Sequence, residues 1–326
     1  MISVAIDFYS KHDALTVHAP IGGEKVELVL PSGERVSRLI ADSFCRTVDT
    51  DLVAGRILLA DSRYCKHLPL PTWDARHHQP TGQLMLPTQS CRVAFDPTIN
   101  ATWVMSQKAK TVVMLVPSLG ELPGWSLVTP LRVGLSWIAD QTDGEFIHGA
   151  VVARKKRGVL LAGPSGVGKS TLALRLAKHG WSFLTDDFCM LRGRTAHAVY
   201  GRAKLWRDSA ETLGLALDNE FQDDLRLAKE VIAVNELDWA ELLPEAKIAA
   251  VASPSLTSFT KMHPTDKRSA FMSLAPPTLA GLQGGSLGSF RRLADFLNDL
   301  PTWRFGAIGD IEELSDALAR AIGLKA

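Results

Sequence analysis

Residues Gly163-Pro164-Ser165-Gly166-Val167-Gly168-Lys169-Ser170, followed by Thr171, fit the spacing G-x-x-x-x-G-K-[ST] without a mismatch. Glycines at these positions let backbone N–H groups converge on phosphate oxygens, and a helix starting at the lysine adds the positive end of its dipole. In such a loop Lys169 reaches the outer phosphates and the Ser170 hydroxyl holds Mg²⁺. The flanks agree with this reading. Gly158-Val159-Leu160-Leu161-Ala162 is a short apolar run of β type, and Ser170 to His179 reads as a helix stopped by Gly180. Leu172, Ala173, Leu176 and Ala177 fall on one face of that helix. The expected ligand is a nucleoside triphosphate, ATP, with Mg²⁺.

Shortly after the loop helix, Trp181-Ser182-Phe183-Leu184-Thr185 reads as a strand that ends in Asp186-Asp187. Carboxylates at the C-terminal end of a strand beside a phosphate loop suit two tasks: one completes a Mg²⁺ shell, and the other accepts the proton of an attacking hydroxyl. Two carboxylates so close repel, which raises the pKa of one of them. Arg202 and Lys204 lie two apart and therefore on one side of an extended strand. They either grip a γ-phosphate or an anionic substrate, or form a solvated strand face.

The elements that must position these residues come next. Residues 131–326 are expected to form the phosphate-loop domain, preceded by a β-rich domain over residues 1–130 that serves substrate or partner recognition. In the first domain Val26–Leu30, Cys91–Phe95 and Thr111–Val116 read as strands, and Leu68–Pro87 as a long loop. His77-His78 in that loop fits no zinc-ligand spacing and reads as a solvated pair. Leu127–Ala139 is expected to be a helix joining the halves. Beyond it, Phe146–Ala153 reads as one strand and Arg154-Lys155-Lys156-Arg157 as a solvated hairpin turn. Helical stretches are expected at Ala210–Leu217 and Trp239–Leu243. A strand at Ile248–Ala252 should be broken by Ser253-Pro254-Ser255, and Gly281–Gly288 should be a flexible loop. A helix at Phe290–Leu297, a strand at Trp303–Ala307 and a helix at Asp310–Ile322 close the chain.

Composition narrows the function classes. The chain has 326 residues, 46% of them hydrophobic, which supports sizeable cores and excludes a wholly disordered chain. Its 36 basic residues nearly balance 35 acidic ones, so a nucleic-acid coat or a polybasic membrane surface is not expected. Cys45, Cys65, Cys91 and Cys189 show no C-x-x-C spacing, so neither a zinc site nor a disulfide framework is expected. The N-terminus lacks a basic segment followed by an apolar core, and no apolar run is long enough to cross a bilayer. These features predict a cytoplasmic protein with reduced thiols.

The run from His148 to Asp187 resembles the catalytic core of the HPr kinase/phosphorylase-like family, whose fold is related to phosphoenolpyruvate carboxykinase. The matching residues are His148-Gly149, Gly163 to Ser170, Lys178-His179-Gly180 and Leu184-Thr185-Asp186-Asp187. A looser similarity continues through Tyr200 to Arg207 and into the closing strand and helix. The resemblance implies an α/β P-loop kinase core in which Lys169 and Ser170 handle the β- and γ-phosphates and Mg²⁺. It further implies Asp186 as base, Asp187 as metal partner, and His148 beside the transferred phosphate or else in the core. A homo-oligomer is also implied. The chain departs from the family in lacking a glutamate-arginine-glycine segment after the core. The expected acceptor is therefore a hydroxyl of a small metabolite or peptide, serine-like, rather than HPr.

Two readings of function follow. One is an ATP-dependent kinase acting on an alcohol by in-line γ-phosphoryl transfer. The other is a nucleotide-binding regulatory protein with little turnover, its β-rich half reading a partner. A transport-type ATPase fits less well: Gly284-Gly285-Ser286 is not LSGGQ, and Asn235 stands where a Walker-B aspartate would be.

Overall fold

The computed structural model describes residues 13–45, 50–61, 84–87, 91–215, 229–282 and 287–325. They form a mixed α/β protein of two compact units, the first ending at Asp143 and the second comprising Gly144–Gly281 and Gly285–Ala326.

The first unit is built on β1 (Ala14–Ile21), β2 (Glu24–Pro31), α1 (Arg35–Asp42), β3 (Val53–Asp61), β4 (Leu84–Pro87), β5 (Cys91–Asp96), β6 (Ala101–Ser106), β7 (Thr111–Val116), α2 (Gly124–Val128) and α3 (Arg132–Ala139). Its seven strands run in the order β1-β2-β3-β7-β6-β5-β4. The apolar run of β7 is buried along its whole length because it lies between parallel β3 and antiparallel β6. Of the expected long loop, residues 84–87 are instead strand β4, paired with β5; the His77-His78 pair lies outside the described residues.

The segment expected to join the halves belongs wholly to the first unit. Val133, Leu135, Trp137 and Ile138 of α3 are buried, and Gly134 lets the helix lie flat on the sheet. A Cβ at Gly134 would sit 3.0 Å from Ile57 Cδ1 and 3.2 Å from the Trp103 ring. The division therefore falls at Asp143 and not at residue 130, because the apolar face of α3 is spent on β3, β6 and β7.

The second unit contains β8 (Glu145–His148), β9 (Ala150–Arg154), β10 (Arg157–Leu161), α4 (Lys169–Lys178), β11 (Ser182–Thr185), β12 (Phe188–Arg192), β13 (Thr195–Ala198), β14 (Arg202–Leu205), α5 (Arg207–Leu213), β15 (Glu230–Ala233), β16 (Glu245–Ser258), β17 (His263–Pro264), α6 (Lys267–Gly281), α7 (Leu287–Asn298), β18 (Thr302–Ile308) and α8 (Ile311–Ala321). Nine strands form one sheet, with the path β11-β9-β10-β16-β13-β12-β8 and β18 and β17 attached beside β16. β14 and β15 form a separate antiparallel ribbon. The basic run is a hairpin turn between β9 and β10, with Lys155 and Lys156 both at positive φ, as a two-residue turn of the right twist requires.

The centre of this unit is α4, which packs on β9 and β11 and shares one core with β10 and β16. Leu172, Ala173, Leu176 and Ala177 are buried with Val159, Leu161, Ala250 and Ala252, and Leu314 and Leu318 of α8 close the far side. Arg175 ties α4 to the end of β18 by donating to the Ala307 and Gly309 carbonyls at 3.2 and 2.7 Å.

Three sequence expectations are corrected in this unit. Phe146–Ala153 is two strands: β8 pairs with β12, whereas β9 pairs with β10 and β11. Pro254 does not break β16, which continues to Ser258 with Pro254 opposite Phe305 of parallel β18. Trp239–Leu243 is not helical, because the backbone of Glu241 and Leu243 hydrogen-bonds Phe183 at the edge of β11. Helix α6, in a stretch to which the sequence assigned no element, runs through Pro276 and Pro277. Among the described residues no helix is long and apolar enough to cross a membrane.

Gly149 separates β8 from β9 because no side chain fits there. A Cβ would lie 2.8 Å from Leu160 Cδ1 and 2.9 Å from the Leu161 carbonyl oxygen. Replacing it with alanine forces β9 and β10 apart, so Gly149→Ala should lower stability by about 1–3 kcal/mol. Denaturant unfolding of the two proteins measures this; equal midpoints would contradict the packing account.

Candidate active site

The glycine-rich loop leaves β10 at its C-terminal end and returns as α4. Gly166 and Gly168 hold φ values of 89° and 91°, which residues with a Cβ adopt only under strain. The loop therefore turns directly into the helix N-terminus, where the first backbone N–H groups have no partner within the helix. The Lys169 side chain is buried and folds back over the loop. Its Nζ donates to the Gly163 and Pro164 carbonyls at 2.8 and 2.9 Å. Burial lowers the pKa of this ammonium, and the charges of Asp186 and Asp187 act in the opposite direction. The two carboxylates are the counter-charge that keeps a buried lysine cationic.

Between β11 and β12 the chain makes a tight turn. The Phe188 N–H donates to the Asp186 carbonyl at 2.9 Å, with Asp187 between them at φ 71°. Such a φ is uncommon outside glycine, and it persists here because neighbours fix the turn. The buried Thr185 hydroxyl donates to the Phe188 carbonyl at 2.9 Å, and the Gly149 N–H donates to the Asp187 carbonyl at 2.8 Å. The left-handed residue sends the two adjacent carboxylates to different partners. Asp186 accepts from the Ser170 hydroxyl at 2.8 Å and from the Lys204 backbone N–H at 3.1 Å. Asp187 forms an ion pair with the Lys204 ammonium, and its Oδ1 lies 3.2 Å from His148 Nε2.

The electrostatics follow from these partners. Burial pushes the Asp186 carboxyl up, and the neighbouring Asp187 charge adds to it against two hydrogen bonds. Burial also pushes the Asp187 carboxyl up, but the Lys204 charge and the His148 hydrogen bond outweigh it and hold it well below the usual range. Of the two, Asp186 is therefore the more readily protonated. Because Asp187 stays ionised, His148 Nε2 carries the proton between them. His148 Nδ1 is buried without a hydrogen-bond partner among the described residues. The imidazole is oriented by its own backbone N–H, which donates to Thr278 Oγ1 of α6 at 3.0 Å, and by edge-on contact with Phe188.

The structure thus gathers Lys169, Ser170, Asp186, Asp187, Lys204 and His148 in one cluster. Of the acidic pair, it is Asp186 that accepts from the Ser170 hydroxyl, whereas Asp187 meets Lys204 and His148. Arg202 is buried on β14 opposite Ala233, so it is not the solvated face that was one alternative for it. Sequence reasoning missed Thr278, which lies 130 positions from His148 in a helix that its prolines conceal, and Ser209, which accepts from the Thr171 hydroxyl at 3.3 Å. A glycine-rich anion cradle beside buried carboxylates, a lysine and a histidine is the arrangement of a phosphoryl-handling site.

Comparison with known proteins agrees. The family model for the HPr Serine kinase C-terminal domain matches residues 140–217. The HPr kinase/phosphorylase of Malacoplasma penetrans is 37% identical over 76 residues, 23% of this chain and 25% of that protein. That of Chlorobaculum tepidum is 32% identical over 117 residues, 32% and 34% of the respective chains. That of Bacillus subtilis is 39% identical over 74 residues, 22% and 24% of the chains. The chain therefore spans about a quarter to a third of the length of these relatives. A solved structure of the Hpr(Ser) kinase/phosphatase from Coxiella burnetii aligns over 34% of this chain and 59% of that one, at 18% identity and a TM-score of 0.26. Over residues 140–217 the chain is therefore similar to the HPr Serine kinase C-terminal domain.

The Lys204–Asp187 pair can be tested by its pH dependence. A carboxyl held below its unfolded value contributes stability above that value and loses it as pH falls through the folded one. In Lys204→Met the half-buried Asp187 charge loses its cation, so its pKa rises and the variant is destabilised by about 2 kcal/mol at neutral pH. As pH falls, Asp187 in the variant protonates first and the penalty disappears. The stability gap between the two proteins should therefore narrow from neutral to acidic pH. A gap that stays constant in pH-dependent thermal unfolding would rule out this electrostatic role.

Proposed function

We propose that this protein is an ATP-dependent kinase that transfers the γ-phosphoryl group to a serine-type hydroxyl carried by a small metabolite or peptide. The observation that carries the reading is the 2.8 Å hydrogen bond from the Ser170 hydroxyl to Asp186 at the N-terminus of α4. It joins the last residue of the glycine-rich loop to a buried carboxylate, the pair of oxygen donors through which loops of this kind hold a metal.

Mg²⁺ fits this donor set. One hydroxyl and one carboxylate are hard oxygen ligands, and Mg²⁺ in nucleotide sites takes one or two carboxylates and fills its shell with phosphate and water. Among the described residues no group of three or more His, Cys, Asp or Glu gathers for a metal, in keeping with a site that needs the nucleotide to complete it. Ser170 and Asp186 would hold the ion, which would supply positive charge to offset that of the phosphates.

Asp187 takes the role of base in this reading, and Asp186 that of metal partner. Lys204 and His148 fix the Asp187 carboxylate in its ionised form, ready to accept a proton. The acceptor oxygen attacks the γ-phosphorus and its proton passes to Asp187. The bond from the γ-phosphorus to the β–γ bridging oxygen breaks, and ADP leaves with that electron pair. Lys169 releases the loop carbonyls for the incoming phosphates. A low carboxyl pKa is compatible with this, because in a loose transition state the proton moves late and position matters more than basicity.

The test is transfer from γ-labelled ATP with Mg²⁺ to a panel of free serine, small alcohols, serine peptides and HPr. Asp187→Asn should bind ATP like the wild type and transfer at least about 100-fold more slowly. Asp186→Asn should lose the Mg²⁺ dependence of ATP affinity, and Lys169→Ala should lose binding. Wild-type transfer by Asp187→Asn would overturn the base assignment. ATP binding with no labelled product from any acceptor would favour a regulatory nucleotide-binding protein instead.

A further inference from the structure

We infer that the Trp206 indole, flanked by Lys229, is the platform on which the base of the bound nucleotide stacks. The inference rests on the kinase reading above and adds the part of the site that the polar cluster does not contain.

Trp206 directly follows β14 and stands two residues past Lys204, on the same side of the extended chain and about 7 Å further along. Its ring is left 49% exposed, whereas Trp103, Trp137 and Trp181 are fully buried. An open indole forfeits the stabilisation its apolar surface would gain on burial, so its exposure calls for a partner. The Lys229 ammonium lies 5.6 Å from the ring centroid. This pair is held in place: Leu205 is opposite Glu230 in the ribbon, which makes Trp206 and Lys229 the next cross-strand pair, and Arg207 closes the end by donating to Glu230 at 2.7 Å.

The direction from the loop identifies what reaches the ring. Lys169, Asp186 and Lys204 mark the γ-phosphate end. Thr171, the residue after Ser170, lies towards the α-phosphate, where loop and helix backbone N–H groups cradle the inner phosphates. The Thr171 hydroxyl donates to Ser209, and the Ser209 N–H donates to the Trp206 carbonyl at 3.0 Å. Trp206 is thus tied to the end of the cradle where the nucleoside leaves. Lys229 is near enough to Lys169 for the two charges to oppose each other, so it belongs to the field that draws the polyphosphate in. A flat aromatic face beside that exit suits a base, because every nucleobase offers a π-face and stacking on an aromatic side chain tolerates any of them.

The experiment is calorimetric binding of ATP and of inorganic tripolyphosphate, each with Mg²⁺, to the full chain and to Trp206→Ala, Trp206→Phe and Lys169→Ala. Trp206→Ala should weaken ATP binding about tenfold or more, the worth of one stacked base. Tripolyphosphate, which has no base, should bind that variant as it binds the wild type, and Trp206→Phe should keep most of the ATP affinity. Unchanged ATP affinity in Trp206→Ala overturns the inference, as does an equal loss for both ligands, which would mark Trp206 as structural. The kinase reading fails separately: wild-type protein that binds neither ligand, or Lys169→Ala that binds both normally, refutes nucleotide binding itself, and the inference with it.

Discussion

Two adjacent carboxylates, Asp186 buried and Asp187 half-buried, cannot both stay charged unless each receives its own compensation, and this constraint organises the second unit. An uncompensated buried charge costs several kcal/mol. Asp187 at φ 71° turns the pair apart, and Lys204 then serves both members: its backbone N–H goes to Asp186 and its ammonium to Asp187. One residue of β14 thus fixes the distance between the acidic turn and the ribbon. The ribbon makes no ladder with the nine-stranded sheet, so this polar tie is one of the interactions that hold it against the site.

The same logic reaches the glycine-rich loop from the other side. Lys169 is buried, and its charge is tolerable because Asp186 and Asp187 face it and two loop carbonyls accept from it. The cluster is therefore mutually dependent, with lysine, carboxylates, serine and histidine each satisfying another. Polar networks of this kind are stable when complete and costly when one member is removed. The apolar side of α4 supplies the rigid support, with Leu172 and Leu176 set into the sheet below.

The strand, glycine-rich turn and helix around Gly163–Ser170 were legible in the sequence because the turn needs residues without a Cβ at fixed places, Gly166 and Gly168 at positive φ. The acidic pair was legible as a pair, but not the partner of each member, because the deciding variable is the φ of Asp187 and nothing in the residue type announces it. Strands with strong local pattern, such as Thr111–Val116, were readable for the same local reason. Elements set by tertiary pairing were not. Pro254 sits inside β16 because β18 runs alongside and continues the ladder past it, and α6 tolerates Pro276-Pro277 because its packed flanks outweigh the missing N–H groups. The Leu127–Ala139 segment was readable as apolar, but apolarity alone does not say which sheet it covers.

The extent of the family match has a physical reading. Residues 140–217 contain every member of the polar cluster: His148, the loop, Asp186, Asp187 and Lys204. The elements that only support it, β16, α6, β18 and α8, lie outside that range. A core accepts many apolar solutions of similar volume, so scaffolding diverges without losing the fold. A buried charge network accepts few, since changing one member strands the others. Similarity concentrated on the cluster is what these two tolerances produce together.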